Sequence, residues 1–279
     1  MKSISTGGRI LLGWLALVLL QMIIGVLIPV RMTPPAHAFG WFLLTDLLIV
    51  SVLGFAAMRS EWRGLKLAVA LAAIPFGIAV LNLIEGVVFL SKEGADWGRI
   101  AIQMLLSYAL VAPVWAWIFG RNGHPSIQPE NPLESGSLVK RAWKFLASDI
   151  TYLVLYFAAG VLIFPLVRDF YATQHVPPTA TIVALQFLIR GPVFVLICVE
   201  LVRMLHLPRL SGALMTGLAF TLLSGVAPLL APNPFFPDFV RWVHFAEVTS
   251  SNFVFGAIVG WIWAPLREAV AATPEVKAA

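Results

Sequence analysis

Eight apolar runs, each long enough to cross a bilayer, divide this chain: about 10–30, 40–58, 65–90, 100–120, 145–167, 181–202, 210–231 and 242–265. The hydrocarbon core of a membrane takes about 20 apolar residues in a helix but only about 9–11 in a tilted strand. Inside lipid the backbone must satisfy its own hydrogen bonds, so only helices and closed barrels span. Runs of this length are helical. The sequence therefore predicts an all-α, polytopic membrane protein of about eight transmembrane helices. Composition agrees, since only 12% of residues are charged against about 25% in soluble domains. The breaks carry turn chemistry: Pro34-Pro35, Arg59 to Arg63, Ser91 to Asp96, the segment 121–142, Gln174 to Pro178, Pro208-Arg209, and Pro232 to Pro237.

The first run begins like a signal peptide, with Lys2, Arg9 and a small-x-small site at Ala36-His37-Ala38. It is longer than the apolar core of such a peptide, about 7–15 residues, and is expected to remain as the first span. Lysines and arginines orient the spans. One side collects Lys2, Arg9, Arg59, Arg63, Lys66, Arg121, Lys140, Arg141, Lys144, Arg203, Arg209, Arg267 and Lys277; the other has Arg31, Lys92, Arg99, Arg168 and Arg241. The richer side is cytoplasmic, which puts both termini inside the cell (inner) membrane. Tryptophans fall at span ends, as interfacial belts require.

The two halves share short patterns in the same order. Gly25-Val26-Leu27-Ile28, with Pro29 and Arg31, returns as Gly160-Val161-Leu162-Ile163, with Pro165 and Arg168. Asp96-x-x-Arg99 returns as Asp238-x-x-Arg241, and Trp115-x-Trp117 as Trp261-x-Trp263. This predicts two parallel four-helix repeats, 1–120 and 143–268. Between them lies a Pro-, Gly- and Ser-rich cytoplasmic linker, 121–142, and a cytoplasmic tail, 269–279, follows. An even number of spans gives the copies one topology, related by an axis along the membrane normal. Chance matching among abundant Gly, Val, Leu and Trp is the alternative.

Ionisable residues inside these runs are the candidates for function. Each costs about 2.5–3.5 kcal/mol on insertion scales, so such groups face protein or a watered cavity. At about 1.5 Å of rise per residue, Asp46, Asn82, Glu85, Gln103, Arg190, His244 and Glu247 all fall in the outer half. That depth predicts one cavity open to the outside. His244, Glu247 and Ser251 share a helix face, as do Gln186 and Arg190. Asp46 and Arg190, at similar places in the two repeats, are expected to pair. Three acids against one arginine and one histidine leave a carboxyl that is protonated or cation-bound. Asn252, with Ser250 and Ser251, is either a ligand or helix-packing glue. Glu200 is expected to pair with Arg203. Asp149 is placed in the first turn of span five, where a carboxylate suits the helix N-terminus. Pro75, Pro113, Pro192 and Pro228 fall inside spans and are expected to bend them.

Several chemistries are set aside. The lone Cys198 excludes an internal disulfide and a cysteine metal centre. His244 is the one histidine inside a span, so bis-histidine haem and zinc ligation lack partners, and no cofactor is implied. His244 and Ser251 stand about 10 Å apart along one helix, beyond hydrogen-bond reach. The net charge of +5 is dispersed over loops and gives no nucleic-acid footprint. The leading expectation is transport or binding of a small polar solute or cation. His244, Glu247, Arg190, Asp46, Glu85, Asn82, Gln103 and Asn252 would be the site. The alternatives are a membrane-embedded enzyme on a lipid-linked or periplasmic substrate, with His244 and Glu247 as acid and base, and a non-catalytic accessory subunit.

Overall fold

The computed structural model of the protein describes residues 4–31, 37–90, 96–120, 137–174, 176–233 and 235–264. All regular structure among them is helical. Eight helices are long and apolar enough to cross a membrane: α1 (Thr6–Leu27), α2 (Ala38–Arg59), α3 (Gly64–Phe89), α4 (Trp97–Phe119), α5 (Leu138–Tyr171), α6 (Thr179–Leu205), α7 (Arg209–Leu230) and α8 (Asp238–Trp263). Each matches one predicted run. Their length and apolarity are those of a multi-pass helical membrane protein.

One boundary differs from expectation for a local reason. Ser137 accepts a hydrogen bond from the Lys140 N–H, the N-cap arrangement that starts a helix. α5 therefore begins at Leu138, inside the predicted linker. Asp149 is in consequence three turns into α5 and buried, not in its first turn, so a helix-dipole role for it is wrong. Residues 121–136 and the tail 269–279 lie outside the described residues.

Prolines reshape two helices. In α6 the Gly191 N–H reaches back five residues to the Gln186 carbonyl, and in α7 the Ala227 N–H does the same to Leu222. These are π-turns, and each is followed at once by a proline, Pro192 or Pro228. A proline ring clashes with the carbonyl four residues back. A widened turn places that carbonyl elsewhere. π-turns are frequent at functional sites, and the one in α6 carries Gln186 and Arg190.

α1 packs on α2 and α4, and α3 on α4; α5 packs on α6 and α8, and α7 on α8. The two groups meet where α2 and α3 face α6 and α7. α7 and α8 cross closely, where small residues bring backbones together. A side chain at Gly260 would meet the Ala213 Cα at 2.7 Å, and one at Gly256 the Gly217 Cα at 2.9 Å. Two helix ends are tied by arginines. Arg241 donates to the Leu229 and Leu230 carbonyls at 2.9 and 3.1 Å, and Arg99 to the Pro29 carbonyl at 3.0 Å. Glu200 and Arg203 pair at 2.7 Å, as expected.

The half of the bundle that holds the helix ends Arg59, Phe119 and Leu205 is densely packed. Leu53, Leu67, Leu71, Trp115, Phe119 and Met204 are buried there with at most 1% exposure. The Phe119 ring lies against Gly13 and Gly54, filling the space between α1 and α2.

Candidate functional site

The other half, which holds the α1–α2, α3–α4, α5–α6 and α7–α8 connections, encloses a cavity of about 1010 Å³ lined by all eight helices. Its walls are mainly apolar. Its charged or ionisable acid–base groups are Asp46, Glu85, Arg190, His244 and Glu247. Four of these form two neighbouring pairs, Arg190 with Glu85 and His244 with Glu247.

The first pair centres on Arg190, buried to 6% exposure on the α6 π-turn. Its Nη1 is ion-paired with Glu85 of α3, and its Nη2 donates to Asn82 Oδ1, one turn earlier, at 3.0 Å. The guanidinium also lies over the Phe194 ring, 5.1 Å from the centroid. Glu85 Oε1 further accepts from the Tyr156 hydroxyl at 3.3 Å and from Gln186 Nε2 at 3.5 Å. Gln186 in turn accepts from the Tyr152 hydroxyl at 3.1 Å. Gln186 and Arg190, at the two ends of the π-turn, thus reach one carboxylate.

On α8, His244 Nδ1 lies 2.8 Å from Glu247 Oε2, and its Nε2 lies 3.0 Å from the Tyr171 hydroxyl. With a proton on Nδ1 the neutral imidazole donates to Glu247 and accepts from Tyr171, so both ring nitrogens are satisfied. Glu247 also lies within electrostatic reach of Arg190 and of Tyr152, Tyr156 and Tyr171. The two pairs and their partners thus run across α3, α5, α6 and α8.

Asp46 stands apart, and the expected Asp46–Arg190 pair is not formed. Arg190 takes Glu85 instead, because α3 presents Glu85 and Asn82 a turn apart on the face toward α6. Asp46, 9% exposed, accepts from Gln21 Nε2 of α1 at 3.3 Å. Among the described residues it makes no ion pair. Tyr108 of α4 is within its electrostatic reach.

The remaining candidates serve as ties. Gln103 donates to the Ile28 carbonyl at 2.6 Å, holding the end of α1 to α4. Asn252 is buried and donates to Ser224 Oγ of α7 at 2.9 Å. Ser251 reaches the cavity wall, while Ser250 is exposed and bonds back to its own helix at the Ala246 and Glu247 carbonyls.

Sequence reasoning missed the tyrosines. The chain has four, and all four line the cavity. The signal was present, since a tyrosine deep in a span must find a partner for its hydroxyl. Gln21 was missed because the first run was weighed only as signal peptide or span.

Among the described residues, no three His, Cys, Asp or Glu side chains gather in a way that would hold a metal ion. The arrangement offers carboxylates that can hold a ligand's positive charge. No protein-family model, curated protein or solved structure matches the chain.

Proposed function

We propose that the protein binds a small organic cation in this cavity and carries it across the membrane. One observation carries the reading. Three carboxyls face the cavity and one guanidinium answers them, leaving Asp46 with an amide partner and no cation. His244 answers Glu247, charged or neutral, through its Nδ1. A cationic ligand completes the charge balance, whereas an anionic one meets two further acids around Arg190.

Size and lining support an organic cation over a bare ion. Pockets for organic ligands run from about 300 to 1,000 Å³. Aromatic faces attract cations, by about 0.5–2 kcal/mol each, and the four tyrosines supply them here. Asp46 is the anchor.

The repeat enters the same reading. The helix pairings of α1–α4 recur in α5–α8. Trp115 Nε1 donates to the Gly13 carbonyl at 2.9 Å, and Trp263 Nε1 to Ser148 Oγ at 3.2 Å. Gly13 stands twelve residues before Gly25, and Ser148 twelve before Gly160. By that measure Trp115 answers to Trp263, two positions on from the pairing with Trp261 that the sequence pattern suggested. Two parallel four-helix copies flanking a central cavity are the arrangement of parallel-repeat transporters.

The test uses thermal stability in detergent with benzyltrimethylammonium, benzyl alcohol and benzoate as a charge series on one ring. A ligand at a hundred times its Kd stabilises by about 2.7 kcal/mol, an easily measured rise in Tm. The cation is expected to raise Tm and Asp46→Asn to abolish the rise. Stabilisation by benzoate but not by the cation, or an unchanged shift in Asp46→Asn, would sink the reading.

The lysine and arginine bias puts both termini in the cytoplasm and the cavity on the external side. A cysteine at Thr173, in the α5–α6 connection, is expected to react with an impermeant thiol reagent on intact cells. One at Ser137 is expected to react only after lysis. The reverse pattern would turn the cavity toward the cytoplasm.

A further inference from the structure

Asp149 is used by nothing described so far. It lies on α5 about 16 Å from the helix start, at 1.5 Å per residue, and below Tyr152, where α5 begins to line the cavity. The residue is 4% exposed, and its Oδ1 is buried without a hydrogen-bond partner. It makes no ion pair among the described residues. A carboxylate left so in a membrane interior is among the most costly groups a protein can hold. A carboxylic acid is not.

The surroundings are built for it. Asp149 Oδ1 occupies the place where a side chain at Gly191 would stand. Gly191 closes the α6 π-turn, and the Gln186 carbonyl and the Tyr152 ring crowd the same spot, 2.9 and 3.1 Å from that would-be Cβ. The carboxyl thus rests on the underside of the turn that carries Gln186 and Arg190. The charged and titratable groups around it belong to three helices. α6 brings Arg190, engaged by Glu85, and the buried Cys198 two turns on. α8 brings Glu247, bonded to His244, on the cavity side. α5 itself brings Tyr152 above, and Lys144 below, over the Trp263 ring at 5.5 Å. Between Asp149 and Lys144 the way is closed by Ser148, which is fully buried and accepts from Trp263 Nε1.

We propose that Asp149 is a proton-binding site on the far side of the cavity floor, and that losing its proton to water on the opposite face opens the packed half beneath the α6 π-turn. Protonated, the carboxyl fits its dry niche and the floor stays shut. Ionised, it needs water, which enters past Ser148 and Trp263 and loosens the turn that holds Arg190. This rests on the reading that the protein carries its ligand across the membrane, and it supplies the second access route that such a carrier needs.

Both readouts are taken without ligand, so their failure is distinct from a failure of cation binding. The first is infrared spectroscopy of the full chain in liposomes. A neutral-carboxyl carbonyl stretch that fades as the pH is raised is expected in the wild type and is weakened in Asp149→Asn. An amide replacement keeps the shape and is expected to fold. The second is maleimide labelling of Ser148→Cys between about pH 6 and pH 9, a window a buried carboxyl's titration reaches. Labelling is expected to rise far more steeply with Asp149 present than in Ser148→Cys combined with Asp149→Asn, which corrects for the thiol's own titration. An infrared spectrum unchanged by Asp149→Asn overturns the proton site. Equal labelling slopes in the two backgrounds overturn the opening.

Discussion

Arg190→Gln is expected to lower stability by about 3–5 kcal/mol, the usual loss when one partner of a buried ion pair is removed. Two carboxylates depend on this guanidinium. Glu85 is bonded to it and Glu247 lies within its field. Glutamine keeps part of the shape but no charge, so the cluster must take up protons or open to water. Glu85→Gln removes the excess charge from the other side and is expected to cost less, since Arg190 keeps Asn82 and the nearby Glu247. The double variant is expected to be more stable than the two single losses added together, because the pair is removed as a unit. Asp46→Asn, by contrast, is expected to be neutral or stabilising without ligand, as its one hydrogen bond comes from an amide. Detergent melting curves of the four variants read all of this. Strict additivity of Glu85→Gln and Arg190→Gln, or a large loss in Asp46→Asn, would show the charges paired differently.

Gly260→Leu is expected to have an effect of similar size by a different mechanism. At this crossing the neighbours of an added Cβ are backbone atoms, the Ala213 Cα at 2.7 Å and the Gly212 carbonyl oxygen at 3.1 Å. Backbone cannot rotate away as a side chain tip can, so α7 and α8 must separate. Overpacking costs typically about 1–3 kcal/mol and more where backbone must move. Separation also weakens the Thr221 bond to the Thr249 carbonyl and the Asn252 bond to Ser224. Gly160→Leu is the control, since nothing lies within 4 Å of its would-be Cβ. Yield of monodisperse protein and Tm are expected to fall in Gly260→Leu and hold in Gly160→Leu. Equal behaviour of the two would mean that the α7–α8 contact is looser than described.

The eight spans were legible because span length and apolarity are properties of consecutive residues. So was the gathering of the polar groups toward one end of the bundle, since position along a helix is a count of residues. Pairing was not legible. Whether Arg190 meets Asp46 or Glu85 depends on how α2, α3 and α6 are rotated about their own axes, and on a π-turn that shifts Gln186 and Arg190 relative to the rest of α6. The start of α5 was misjudged because Ser137 looked like linker, and the burial of Asp149 went with it. The tyrosines were passed over because, in a membrane chain, aromatic residues read first as lipid-facing or interfacial anchors. Trp117 and Trp261 are of that kind, 65% and 45% exposed.

The densely packed half of the bundle has an electrical consequence. A watered cavity conducts, whereas a plug of Leu53, Leu67, Trp115 and Phe119 insulates, so a membrane voltage falls mostly across the plug. Each elementary charge that crosses the full field exchanges about 2.3 kcal/mol per 100 mV. A cation arriving at Asp46 from the open side would cross little of that field. A proton leaving Asp149 toward the other face would cross much more of it. Loading would then be nearly indifferent to voltage, and the opening toward the other face would be where the membrane potential does its work.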